Sequence, residues 1–220
     1  MIGNLIRKDF LLVKKTLAGF LGLGLLILLL VTFLLRNTPQ VQGMGLILFL
    51  YFLVLMELSF IQAVATEEEK SPKATALLCA APYPRKSYVM AKYLCYLICY
   101  AVCGVVYSIV AAVHPQFNYL NITEALISFL VGAILYGVYT PVAIKYGLTK
   151  ARIVFIAAVF LISLGPTLVV QVFRPDMKLL LSLLQTQSSA IVPIVFGVAG
   201  VGVFLVSMII SIRIFEKKEL

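Results

Sequence analysis

An all-α, polytopic membrane protein with six transmembrane helices, forming one domain over residues 1–220, is the fold this sequence predicts. Three observations point to it. First, 62% of the 220 residues are hydrophobic and only 12% are charged, against roughly 25% charged in an ordinary soluble domain; the mean hydropathy is +1.08. Second, apolar runs long enough to cross about 30 Å of hydrocarbon as helices recur along the whole chain. Third, the basic residues are strongly sided, as the positive-inside rule requires of a multi-spanning protein. The net charge of +9 does not indicate nucleic-acid binding, because the basic residues are scattered over the links between spans and form no single stripe. Beside a bilayer such charges set topology and meet anionic lipid.

Residues 1–16, MIGNLIRKDFLLVKKT, read as an amphipathic helix lying in the membrane interface. Ile2, Leu5, Ile6, Leu12 and Val13 share one arc, and Asn4, Arg7, Lys8, Lys14 and Lys15 the opposite one. Asp9 falls inside the apolar arc and Leu11 on the polar one. The acid reads either as a member of a local ion pair or as a contact for another protein. No cleavable signal peptide is expected, since no small-residue cleavage site follows the first apolar run.

The spans are expected at about 17–35, 43–65, 93–113, 123–144, 153–173 and 190–212. A short outer loop separates the first two. Pro141, Pro166 and Pro193 should kink or end their helices. Gly22 and Gly24, Ala133 and Gly137, and Gly197, Gly200 and Gly202 offer close helix–helix approach. Tyr93, Tyr96 and Tyr100 share one face of the third span. With six spans both termini lie on one side. That side carries fifteen of the eighteen basic residues, and the other only Arg36, Arg174 and Lys178. The termini and the loops at 66–92 and 145–152 are therefore expected in the cytoplasm of a plasma membrane.

The 66–92 loop is the longest polar interval. Glu67, Glu68 and Glu69 are followed by Lys70, and a short helix is predicted from Ser71 to Ala80 with Ser71 as its cap and Pro72 in its first turn. Pro82 and Pro84 end it, and Arg85, Lys86 and Lys92 lead into the next span. A short helix held by stiff links between two spans is suited to touching another protein. Leu77, Leu78 and Ala81 would form its apolar knob, with Lys73 on the rim.

Little in the chain supports catalysis. There is no HExxH, no pair of intramembrane aspartates and no GxxxxGK[ST], so no metal, cofactor or ATP site is expected here. Cys95, Cys99 and Cys103 lie on one helical face within an apolar run. They read as small packing residues, with redox or metal chemistry as the alternative; Cys79 and the only histidine, His114, lie elsewhere. Asn121-Ile122-Thr123 matches the glycosylation pattern but abuts the membrane. Glu57 is the one acid well inside a span, and at mid-depth it must face protein or water. It could be a protonated or hydrogen-bonded group at a helix contact, a group lining a substrate path, or a proton-coupling residue.

The amphipathic N-terminal segment LIRKDFLLVKK, the six spans and the inner loop EEEK…ALLCAAPYPRKSYVMAKY together resemble the permease subunits of ABC-2 type exporters. In that family the loop after the second span carries an acid–Lys stretch, a leucine-rich turn, a proline, an arginine and a Lys-Tyr entry to the third span. Glu69-Lys70, Leu77-Leu78, Pro82, Arg85 and Lys92-Tyr93 occupy those places. The resemblance implies that residues 1–16 form a connecting helix and that the loop forms a coupling helix. Glu69, Lys70, Lys73, Leu77, Leu78, Pro82 and Arg85 would then mark the contact with an ABC ATPase. It further implies two ATPase copies holding the ATP and Mg, a second permease of the same kind, and an outer re-entrant element at 176–187. Among smaller members the chain is similar to bacterial exporters of phenol-soluble modulins, of other amphipathic or antimicrobial peptides and of bacitracin-like antibiotics, which would connect it with antibiotic resistance or hydrophobic drugs. Two rival expectations stand beside it. One is a secondary transporter using Glu57; the other is a non-transporting scaffold whose loop recruits a cytoplasmic partner.

Overall fold

The computed structural model of the chain describes residues 2–34, 45–70, 85–113, 119–147, 150–154, 156, 157, 160 and 191–217. Among these residues there is no strand. Five long helices stand out: α1 (Ile2–Leu34), α2 (Gly45–Lys70), α3 (Arg85–Val113), α4 (Ile122–Tyr146) and α5 (Ile191–Glu216). Among the described residues, four stretches are long and apolar enough to cross a membrane: Leu48–Glu67, Lys86–Val113, Ile122–Tyr146 and Val192–Glu216. Residues 150–154 are helical as well, at the entry to the span expected from 153. The remainder of that span, the 71–84 segment and the 176–187 element lie outside the described residues.

Helix bounds follow local chemistry. α2 continues past Ala65 through the acidic run to Lys70, the last residue described on that side, because Glu and Lys propagate a helix well. α3 is described from Arg85 onward. Much of the polar interval 66–92 is therefore helix extending from the spans. α4 starts with a reciprocal cap: the Asn121 side chain accepts from Ile122 N–H at 3.1 Å, and Glu124 accepts from Asn121 N–H at 3.0 Å. Glu124 at the span edge is thus a capping residue. Gly147, at φ +80, closes the other end and donates its N–H to Ala143, a left-handed turn that suits glycine.

The N-terminal region differs from expectation. The predicted interfacial helix 1–16 and the predicted span from 17 form one unbroken helix about 50 Å long at 1.5 Å per residue. The change from amphipathic to apolar pattern marks a change of surroundings, not a break, since neither proline nor cap intervenes.

The side-chain contacts orient the bundle. Phe10 meets Phe60 with ring centroids 5.1 Å apart, and Gly24 sits against Phe52, so α1 and α2 are antiparallel. Tyr93 meets Tyr136 at 5.1 Å and Tyr100 meets Phe129 at 5.4 Å, so α3 and α4 are antiparallel. Tyr88 lies on Phe215 and Tyr96 near Phe204, at 5.1 and 5.5 Å, which makes α5 antiparallel to α3. α5 therefore runs parallel to α4, its most extensive neighbour. Gly197 meets Leu126, Gly200 meets Phe129 and Gly137 meets Ser207. A Cβ added at Gly22 or Gly202 would meet no described residue within 4 Å. One end of the bundle thus gathers the start of α1, the ends of α2, α4 and α5 and the start of α3; it is called the basic end here.

Two apolar clusters fill the interior. One, centred on Tyr93, Tyr96, Tyr136 and Phe204, lies toward the basic end. The other, centred on Phe49, Leu53, Cys103 and Tyr107, lies away from it. Ile194, Val198, Val201 and Leu205 leave one face of α5 exposed, as a lipid-facing stripe is.

Candidate functional site

Glu57 lies where the second, third and fourth helices meet. It is 3% exposed, one helical turn from Leu53. Its place exists because residue 132 on α4 has no side chain: a Cβ there would stand 2.8 Å from Tyr96 Oη, 3.3 Å from Glu57 Oε2 and 3.4 Å from Leu53. The neighbouring hydroxyls are occupied by the α4 backbone. Tyr96 donates to Phe129 O at 3.2 Å, Tyr100 to Ala125 O at 2.7 Å and Ser128 to Ala125 O at 2.8 Å. Glu57 Oε1 is buried with no hydrogen-bond partner among the described residues. An unpaired polar group in an apolar interior costs on the order of 1–3 kcal/mol by mutational measures. Asp9 Oδ1, Tyr139 Oη and Thr140 Oγ1 are likewise buried without a hydrogen-bond partner among the described residues, but the Glu57 carboxyl sits in a three-helix contact, not on an exposed face.

A second polar constellation lies nearer the basic end. Tyr93 Oη is 2.7 Å from Ser207 Oγ and 2.9 Å from Ser211 Oγ, and Ser207 donates to Gly137 O at 2.8 Å. Tyr136 donates to Lys92 O at 2.7 Å. All of these hydroxyls join different helices.

The basic end itself is tied together by aromatic and charged side chains. The Tyr88 ring stacks on Phe215 with an interplanar angle of 19°. Lys92 Nζ lies 4.8 Å and Lys8 Nζ 5.9 Å from the centre of the Tyr88 ring. Lys86 pairs with Glu216 at 3.7 Å. Asp9, 3% exposed, has Lys8 Nζ at 3.2 Å, as a local ion pair requires. α1, α3 and α5 thus converge where the chain enters α3.

The residues expected to touch an ATPase fall at the margins of what the structure describes. Glu69 and Lys70 end α2 and Arg85 opens α3, their side chains outside the described set. Lys73, Leu77, Leu78 and Pro82 lie outside it altogether, as do Cys79 and His114. Cys95, Cys99 and Cys103 are buried free thiols, and no cluster of metal-ligating side chains occurs among the described residues. Sequence reasoning singled out Glu57, Asp9 and the tyrosine face but missed Ser207 and Ser211. The available signal was Ser207 and Ser211 one turn apart in an otherwise apolar helix, together with a proline inside α4.

Comparison with known proteins adds one result. A family model described as ABC-2 family transporter protein matches residues 4–216. No curated protein and no solved structure matches.

Proposed function

Since the chain belongs to the ABC-2 transporter family, matched over residues 4–216, we propose that it is the membrane-spanning permease of an ATP-driven exporter that moves amphipathic or antimicrobial peptides, or hydrophobic drugs, out of a bacterial cell. The whole-chain family match is the observation that carries this reading. A permease of this family normally works with an ABC ATPase. Two ATPase copies would supply ATP and Mg, a second copy of this chain would complete the pathway, and the chain itself would do no catalysis.

Six crossings fit the packing. α4 and α5 are parallel neighbours, and α4 ends at the basic end. Because α4 ends at the basic end and its parallel neighbour α5 starts at the other, one further crossing between Tyr146 and Ile191 is proposed. One crossing uses about 20 residues, and helical residues at 150–154 stand at its start. With α1 this makes six, with the basic end in the cytoplasm. A cysteine placed by Asn118→Cys should then react with an impermeant thiol reagent from outside, in a background lacking native thiols, and one placed by Lys150→Cys should not. The reverse pattern would overturn the orientation.

The coupling contact is proposed at Glu69, Lys70, Lys73, Leu77, Leu78, Pro82 and Arg85. The convergence of α1, α3 and α5 beside Arg85 supports it, because a push delivered there reaches three helices at once. Replacing Leu77 and Leu78 together with Asp should abolish co-purification with the ATPase and leave membrane insertion intact. A double variant that still carries a fully coupled ATPase would remove the loop from this role. A chain that moves cargo with no ATPase bound would favour the secondary carrier, and one that binds a partner without transport would favour the scaffold.

A further inference from the structure

Pro141 sits inside α4 and has no N–H. In an unbroken helix that N–H would bind the carbonyl four residues back, which is Gly137 O. In a membrane interior no water stands ready to replace it. The replacement comes from another helix: Ser207 Oγ on α5 reaches Gly137 O at 2.8 Å. Two other aliphatic hydroxyls of the bundle behave differently. Thr66 donates to Gln62 O and Ser108 to Gly104 O, each four residues back in its own helix, at 2.7 Å, the default for such residues in apolar helices. Ser207 gives its single proton across the seam. The absence of a side chain at residue 137 permits this, since a Cβ there would stand 3.1 Å from both Ser207 Cβ and Oγ.

With that proton committed, the direction of the remaining bonds follows. Ser207 has none left for Tyr93, so Tyr93 O–H donates to Ser207 Oγ. Tyr93 then has none left for Ser211, so Ser211 donates to Tyr93 Oη. The chain runs Ser211 to Tyr93 to Ser207 to the Gly137 carbonyl. We propose that Ser207 is the surrogate donor for the hydrogen bond Pro141 removes, and that Tyr93 and Ser211 hold it in place. α3, α4 and α5 are thereby locked at the Pro141 position into one body. Ser207 is a positioning residue in this scheme. The inference rests on backbone hydrogen-bond accounting and stands whether or not the transport reading does.

A double-mutant cycle on the full chain in lipid nanodiscs tests it, read by amide hydrogen exchange over residues 138–146 and by thermal unfolding. Ser207→Ala leaves Gly137 O unpaired and should speed exchange there roughly tenfold and lower Tm. Pro141→Ala restores the N–H, so Ser207→Ala in that background should change exchange by less than about twofold. An equal effect of Ser207→Ala in both backgrounds, or none in the native one, would overturn the proposal, since a packing role is indifferent to residue 141. Should Pro141→Ala fail to fold, Gly137→Ala approaches the same bond from the acceptor side. Its methyl pushes the hydroxyl off the carbonyl, and Ser207→Ala should then add no further loss; additive losses would overturn the assignment.

Discussion

Two buried polar regions of the bundle, between one and two turns apart along α4, where Gly132 borders Glu57 and Gly137 borders Ser207, solve the same problem in opposite ways. Near the basic end, Tyr93, Ser207 and Ser211 close on one another and on the Gly137 carbonyl, so each hydroxyl has a partner. Deeper in the bundle, Glu57 is equally buried, yet one carboxyl oxygen has no partner among the described residues and the nearby tyrosines spend their protons on α4 carbonyls. Lipid-embedded helices cannot borrow water for either site. A satisfied network fixes its helices in one arrangement. An unsatisfied carboxyl does the reverse: it lowers the stability of the arrangement that buries it, and it favours any state that brings it a proton, a water or a donor. The contrast assigns rigidity to the α3–α4–α5 contact and tension to the seam between α2 and α4.

The largest effect that would sharpen this contrast is expected from closing the space beside Glu57. Gly132→Leu drives a branched side chain into Tyr96, Glu57 and Leu53 and should destabilise the protein by about 3 kcal/mol, the upper end for overpacking. Gly22→Leu is the control, because a Cβ built there meets no described residue within 4 Å, and it should stay within about 0.5 kcal/mol. Thermal unfolding in nanodiscs reads both. Equal losses would mean that the α2–α4 seam is no tighter than the outer face of α1.

A smaller effect of opposite sign is expected at Glu57 itself. If the carboxyl is a cost that the fold carries, Glu57→Leu should raise stability by about 1–2 kcal/mol, because an apolar group of similar size needs no partner. Glu57→Gln should gain little, since an amide needs partners too. A stabilised variant that no longer exports cargo would place Glu57 on the working path, with stability given up for function. A Glu57→Leu variant that loses more than about 1 kcal/mol would show that the carboxyl has a stabilising partner, and the contrast with Tyr93 would collapse.

The sequence made one of these regions easier to see than the other. A lone acid amid apolar residues is conspicuous, so Glu57 stood out, as did Asp9 on the apolar arc of the first helix. Asn121, Glu124 and Gly147 mark the ends of α4 by local chemistry, and the apolar runs mark the helices. Ser207 was not conspicuous, because a serine in a membrane helix usually bonds its own backbone, and its partner Tyr93 lies 114 residues away. Pro141 announced a missing hydrogen bond without saying who would replace it. The continuity of α1 was hidden for another reason. A wheel pattern reports what surrounds a helix, and the surroundings change near residue 16 while the backbone does not.

Aromatic contact and charge pairing at the basic end separate the smallest effects. Phe215→Leu keeps much of the apolar area but removes the stack on Tyr88, and about 1 kcal/mol should be lost, as for other aromatic pairs. Lys86 and Glu216 stand 3.7 Å apart with side chains 65% and 41% exposed, so their attraction is weakened by solvent and salt. A double-mutant cycle of Lys86→Ala with Glu216→Ala should give a coupling of about 0.2–0.5 kcal/mol that fades as salt is raised. A salt-insensitive coupling above about 1 kcal/mol would mean that the pair is shielded in the working protein, as it would be if a bound ATPase covered the basic end. Repeating the cycle with and without the partner separates the two cases, because only a covering partner makes the coupling grow on assembly.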